Sequence, residues 1–440
     1  MTKRRVPVWF LLTAVLAGLV AFLIPGLRVY MGATAQHLHR DSGDVPSVIA
    51  APPSPQWAAA VKTAQQVARA TIVEEKLTGL SAAVGVKGEV VWAEGFGYAD
   101  VELGIGVTPS QRFRIGTASA ALTSAAAGLL LESGALNLDA EIQHYLPAFP
   151  KKQGPITVRQ VMSHTAGIRT DGGDDSPLLV KHCESPREAL ADFADQPLMF
   201  APGTRSRFSI YGWVLMSAAI EAVVKQPFLA FVEERVFAAA GMQNTPADPR
   251  PNQADIDGED FPLFTLLREI FAKPPKEAAA ERGSAKEPVR AQVTSYFPRF
   301  AADTKYGWHI MRPLHYSCYA GSSAFASTPS DMVRFAMALK SGKLLKPATV
   351  EALWTPQKLA SGEETKYGLG WSIETVTLAG KPARKVGNAG ILLGGPIASL
   401  MIFPEHDIVV AVASNISYTD TEVLGLKIAA AFAGEDLRQQ

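Results

Sequence analysis

Apolar residues change their spacing several times along this chain, and each spacing predicts a different element. From Trp57 to Glu75 they recur every three to four positions, as on one face of a helix. Two strand-length runs follow, Ser81–Val86 and Glu89–Tyr98, joined by Lys87-Gly88, which is the pattern of an antiparallel hairpin. Helical spacing returns over Ala120–Glu132, Tyr211–Val224, Pro227–Ala240 and Ser330–Lys340, the last opening after Thr328-Pro329. Four further runs, Tyr367–Ile373, Lys381–Val386, Ile397–Phe403 and Ile408–Ser414, have strand length, with Pro404-Glu-His-Asp407 as a turn between the last two. Strands at both ends around a helix-rich middle predict one sheet built from both ends of the chain. The expected sheet lobe covers about 57–118 and 355–434, and the helical lobe about 119–354.

The N-terminus alters that picture. Met1–Arg5 is cationic, and Val6–Ile24 is apolar except for Thr13, approaching the length that spans a bilayer. The positive flank keeps the N-terminus cytoplasmic and sends the remainder across. Residues 1–32 therefore read as a membrane anchor or a signal sequence; Ala33-Thr34-Ala35 is a small-x-small cleavage site, which keeps both readings open. Residues 33–56, polar and proline-containing, read as an extended linker. A charged stretch poor in large apolar residues, about 273–289, reads as a solvated excursion. The amphipathic run Phe261–Phe271 before it reads as a core-facing helix, with a partner or membrane contact as the alternative.

With 48% hydrophobic residues in 440, the chain can bury a large core. Its 42 basic and 42 acidic residues balance, so no global field favours nucleic acid. Cys183 and Cys318 would meet an oxidising compartment after export, where they can bridge or remain two small buried hydrophobes. Neither lies in a metal-ligand spacing, and no cofactor is expected.

Candidate chemistry centres on Phe113-Arg-Ile-Gly-Thr-Ala-Ser-Ala-Ala-Leu-Thr123. This turn resembles the active-site turn of the serine β-lactamase, DD-peptidase and esterase family, which reads Phe-Arg-Ile-Gly-Ser-x-Ser-Lys. Further landmarks occur in order: Gly95–Glu102, His144–Pro150, Ile156–Ile168 and Phe325–Asp331. The resemblance covers about 60–434. It implies an α/β (α+β) fold of the β-lactamase/transpeptidase type, an antiparallel sheet flanked by helices plus a mostly helical lobe, here behind an N-terminal membrane helix.

Aligned on Phe-Arg-Ile-Gly, the nucleophilic serine of Ser-x-x-Lys falls on Thr117 and the lysine base on Ala120; no Ser-x-x-Lys occurs anywhere in the chain. In the family's Pro-Gly-x-x-Phe-x-Tyr-Ser-Asn-x-Gly frame, beginning here at Pro202-Gly203, the tyrosine falls on Phe208 and the asparagine on Ile210. A phenyl ring cannot relay a proton. In Lys385-Val-Gly-Asn-Ala-Gly390 the family's basic residue falls on Asn388, which can donate a hydrogen bond but does not titrate, followed by Gly390. Tyr211 and His164 are the nearby candidates to replace the lost phenol and base. Thr117, Ser119 and Asn388 are the expected ligand-binding side chains.

Three functional readings follow. The first is an exported, membrane-tethered non-catalytic relative that binds a ligand or acts as a scaffold. The second is an active esterase, amidase or peptidase using Thr117 with an unusual base. The third is a self-assembling structural protein. Expected partners are a cell-wall peptide or other small acyl ligand, the membrane through the N-terminal helix, and other copies of the chain.

Overall fold

The computed structural model describes residues 38–170, 177–179, 181–246, 291–300, 303–311, 314–392 and 395–439, with scattered helical positions between 13 and 26. The excursion at about 273–289 and the run Phe261–Phe271 lie outside the described residues, as does much of the apolar N-terminal run. Among the described residues no single helix is long and apolar enough to cross a membrane.

The strands in chain order are β1 (Ser47–Ile49), β2 (Gly79–Val86), β3 (Glu89–Asp100), β4 (Ile105–Gly106), β5 (Phe113–Arg114), β6 (Tyr296–Phe300), β7 (Asp303–Ile310), β8 (Ala326–Ser327), β9 (Ser372–Leu378), β10 (Lys381–Leu392), β11 (Gly395–Phe403) and β12 (Ile408–Ser414). The main sheet has the order β1-β3-β2-β12-β11-β10-β9, antiparallel throughout. The hairpin β2–β3 turns at Lys87 and Gly88, both with positive φ, and docks on β12. This is the expected sheet built from both ends of the chain.

Both sheet faces are covered, so its central strands read as nearly unbroken apolar runs. In β12, Ile408, Val410 and Val412 join the core beneath helices Ala58–Glu74 and Thr421–Gln439. The alternate residues Val409, Ala411 and Ala413 join the core shared with the helical lobe, as the period-two geometry of a strand requires. That lobe contains Ser119–Glu132, Ile210–Val224 and Pro329–Lys340, close to the expected helices.

Three details depart from the expected pattern, and a fourth decides between alternatives. Within the stretch read as a linker, Ser47–Ile49 forms an edge strand on β3, fastened by Arg69, whose guanidinium reaches the Val45 carbonyl and the Ser47 hydroxyl. The expected helix Pro227–Ala240 is interrupted by a wider π turn at Glu233–Phe237, through which Val232, Val236 and Phe237 stay buried. The expected strand Tyr367–Ile373 starts only at Ser372. Gly370, at φ +98°, turns the preceding loop against Ser124, where a Cβ would stand 2.7 Å from that side chain. Finally, Cys183 and Cys318 form a disulfide with their Cα atoms 5.0 Å apart, fixing one of the two alternatives that the sequence left open.

Candidate functional site

β5 ends at Arg114, and after Ile115 the chain makes one tight turn, Gly116–Ala118, before the alanine-rich helix Ser119–Glu132 begins. Gly116 adopts φ +50°, and a Cβ there would lie 2.3 Å from the Ile391 carbonyl oxygen. Across the contact, a Cβ on Gly390 would lie 2.1 Å from the Ile115 carbonyl oxygen. Two glycines thus let turn and strand meet backbone to backbone, which no larger residue permits.

Thr117 sits at that contact with 1% exposure. Its hydroxyl donates to the Ala389 carbonyl (3.0 Å) and accepts from the Ile391 N–H (2.9 Å), straddling Gly390 where β10 is bulged against β11. A hydroxyl has one proton to give, and here that proton is directed to a backbone carbonyl, not to a base. Ala120, one helical turn on, is buried in the apolar core and offers only a methyl group where the family has its lysine. The Ser119 hydroxyl accepts the Phe325 N–H at 3.3 Å. Thr117 and Ser119 are therefore both engaged in tying the turn to its neighbours.

The other two motif segments meet in an aromatic cluster. Asn388 donates from Nδ2 to the Gly370 carbonyl at 2.7 Å and also hydrogen-bonds the buried Tyr367 phenol, which Trp213 contacts as well. Burial raises the Tyr367 pKa above its ordinary value, and these hydrogen bonds temper the rise. The His164 ring packs against Tyr367 at 4.8 Å and against Phe208 at 4.6 Å between centroids. Phe208 is 38% exposed and is the outer edge of this cluster. Ile210 opens helix Ile210–Val224 and packs toward the helical lobe's core. Tyr211 stacks on Phe193, with ring centroids 4.2 Å apart, and is buried there.

His164 has a positive φ of 59° and is wholly buried, which pushes its imidazole down to about 3. Its Nδ1 accepts the Ser209 N–H at 3.1 Å. A backbone amide can only donate, so Nδ1 carries the lone pair and Nε2 the hydrogen. The Trp213 indole N–H, 3.3 Å from Nε2, is then better satisfied by the Tyr367 oxygen. His164 consequently holds the start of helix Ile210–Val224, where Ser209 caps the Gly212 N–H at 3.0 Å. Its one lone pair is engaged by the Ser209 N–H.

The beta-lactamase family model matches residues 58–435, most of the chain. The protein belongs to the beta-lactamase family. Serine beta-lactamase-like protein LACTB, mitochondrial, of Bos taurus is 23% identical over 490 residues, covering 87% of this chain and 81% of that protein. Penicillin-binding protein 4* of Bacillus subtilis is 22% identical, covering 65% of this chain and 58% of its own length. Among solved structures, the octameric penicillin-binding protein homologue from Pyrococcus abyssi aligns at TM-score 0.65 and 21% identity, covering 85% of this chain and 77% of that one. EstCE1, described as a hydrolase with promiscuous acyltransferase activity, aligns at TM-score 0.67 and 20% identity, covering 87% and 100%. These likenesses establish the fold.

Within this beta-lactamase-family site, Thr117, Asn388 and Gly390 converge on β10, and Phe208 joins them through His164 and Tyr367. Ala120 and Ile210 belong to the surrounding core. Tyr367 and Trp213 lie outside the motif positions that the sequence singles out. The Gly-Leu-Gly spacing after Tyr367 was the available signal that this stretch is a loop able to bring a phenol inward. Among the described residues no three His, Cys, Asp or Glu side chains are placed to hold a metal ion.

Proposed function

We propose that this beta-lactamase-family protein is catalytically silent at the family's site and serves there as an exported, membrane-tethered binding or scaffolding domain. The Thr117 hydroxyl carries this reading: it is buried, spends its proton on the Ala389 carbonyl, and among the described residues hydrogen-bonds to backbone groups, not to a side-chain base. Ala120 and Phe208 compound the loss, since proton removal and proton delivery both lack a group. The cationic, apolar N-terminus favours tethering and export, and the Cys183–Cys318 bridge is of the kind that persists outside the reducing cytosol. The candidate ligand is a cell-wall peptide or another small acyl compound. A second reading, self-assembly, draws support from the octameric state named for the Pyrococcus relative.

The test uses full-length protein in detergent, incubated with a fluorescent penicillin or a fluorophosphonate and mapped by peptide mass. No adduct is expected on Thr117, and Thr117→Ala should leave any labelling unchanged. Labelling that disappears in Thr117→Ala would sink the proposal. A thermal-shift response to peptidoglycan fragments then favours ligand binding, whereas concentration-dependent light scattering without such a response favours assembly.

A further inference from the structure

The disulfide draws together three polar side chains far from Thr117 in sequence. Cys183 lies between His182 and Glu184, and its partner Cys318 follows Ser317. The His182 Nε2 stands 3.1 Å from Glu184 Oε1, and its Nδ1 stands 3.5 Å from the Ser317 hydroxyl. The proton directions are mutually consistent. A carboxylate only accepts, so Nε2 carries the hydrogen and Nδ1 the lone pair. The Ser317 oxygen accepts the Cys183 N–H at 3.0 Å, which leaves its own proton free to point at Nδ1. All three side chains line one open pocket of about 190 Å³, whose other walls include Pro186, Phe228 and Leu229.

We propose that Ser317, His182 and Glu184 form a second hydrolytic site, acting on short-chain carboxylic esters without negative charge. Ser317 is the nucleophile, His182 the general base, and Glu184 the positioning residue that fixes the imidazole tautomer. The Ser317 oxygen bonds to the ester carbonyl carbon as its proton passes to Nδ1. The ester C–O bond then breaks, and the departing alkoxide takes that proton as an alcohol. Water attacks the acyl-Ser317 carbonyl, gives a proton to Nδ1 and releases the acid, with the proton returning to the Ser317 oxygen. The pocket's volume and apolar walls suit a short acyl chain, while Glu184 and Glu221 at its lining oppose an anionic one. The hydrogen bond at 3.5 Å is long, as is common before substrate closes over such a site.

The inference is independent of the silent family site, and one experiment separates the two. Full-length protein is treated with a fluorophosphonate, mapped by peptide mass, and assayed with p-nitrophenyl butyrate. The expected adduct is on Ser317 alone, absent in Ser317→Ala and retained in Thr117→Ala. His182→Gln should lower turnover by about 10²–10⁴-fold, with partial rescue by added imidazole, and Glu184→Gln should lower kcat while leaving KM unchanged. Near-UV circular dichroism and an intact disulfide verify that each variant is folded. No adduct on either Ser317 or Thr117 overturns this inference and leaves the family site silent. An adduct on Thr117 with Ser317 unmodified overturns both readings, as does hydrolysis that persists in Ser317→Ala but is lost in Thr117→Ala.

Discussion

A single buried imidazole shows how closely this site is tied into the fold. His164 has its Nδ1 lone pair bound by the Ser209 N–H and its ring packed between Phe208 and Tyr367, in a setting that holds it neutral. Its pKa in the folded chain, about 3, lies below the ordinary value of 6.5. Below pH 6.5 the unfolded chain therefore takes up a proton that the folded chain refuses. The stability this provides is complete above pH 6.5 and is lost as pH falls toward 3, by up to about 1.4 kcal/mol per pH unit. Urea unfolding at pH 7.5, 6 and 5 should show that slope, and His164→Asn should remove it while retaining an acceptor for Ser209 and tolerating the positive φ. An unchanged slope in the variant would assign acid sensitivity to other groups. The substitutions at 117, 120, 208 and 388 were legible in the sequence because the family's motifs are local. The partners of Thr117 were not, since its two hydrogen bonds come from residues more than 270 positions away.

At the level of elements, the turn Gly116–Ala118 and strand β10 act as one unit. Gly390→Ala would set a Cβ 2.1 Å from the Ile115 carbonyl oxygen, a backbone atom that cannot swing aside as a side chain would, so one element must move. The variant should lose about 1–3 kcal/mol from overpacking, with faster hydrogen exchange at the Ile391 amide, which bonds Thr117 Oγ1. Retention of wild-type stability would show that β10 yields easily, and with it the argument for a closed turn–strand contact. β11 and β12 stand nearly whole in the apolar pattern of the sequence, because strands buried on both faces carry an unbroken apolar signal. β1, three residues long, leaves no such pattern, and β9 starts later than its pattern suggests, because the loop Tyr367–Trp371 has the composition of a strand while Gly370 gives it a turn.

Across the whole molecule, the Cys183–Cys318 bridge closes a loop of 135 residues that contains helix Ile210–Val224. Constraining so long a loop in the unfolded chain contributes about 5 kcal/mol in the chain-entropy account. Native protein should therefore show no reactive thiol, and Cys183→Ser/Cys318→Ser should unfold at clearly lower urea. Equal midpoints would mean that the bridge adds nothing to the fold. By itself the sequence determined the family, the sheet assembled from both chain ends, and which residues stand at the family's motif positions, because periodicity and short motifs are local properties of a chain. Only the tertiary structure decided that the cysteines pair, that Thr117 is locked between Ala389 and Ile391, and that Ser317 faces His182. Those facts depend on distances between residues remote along the chain, and such distances exist only once the sheet and helical lobe have packed.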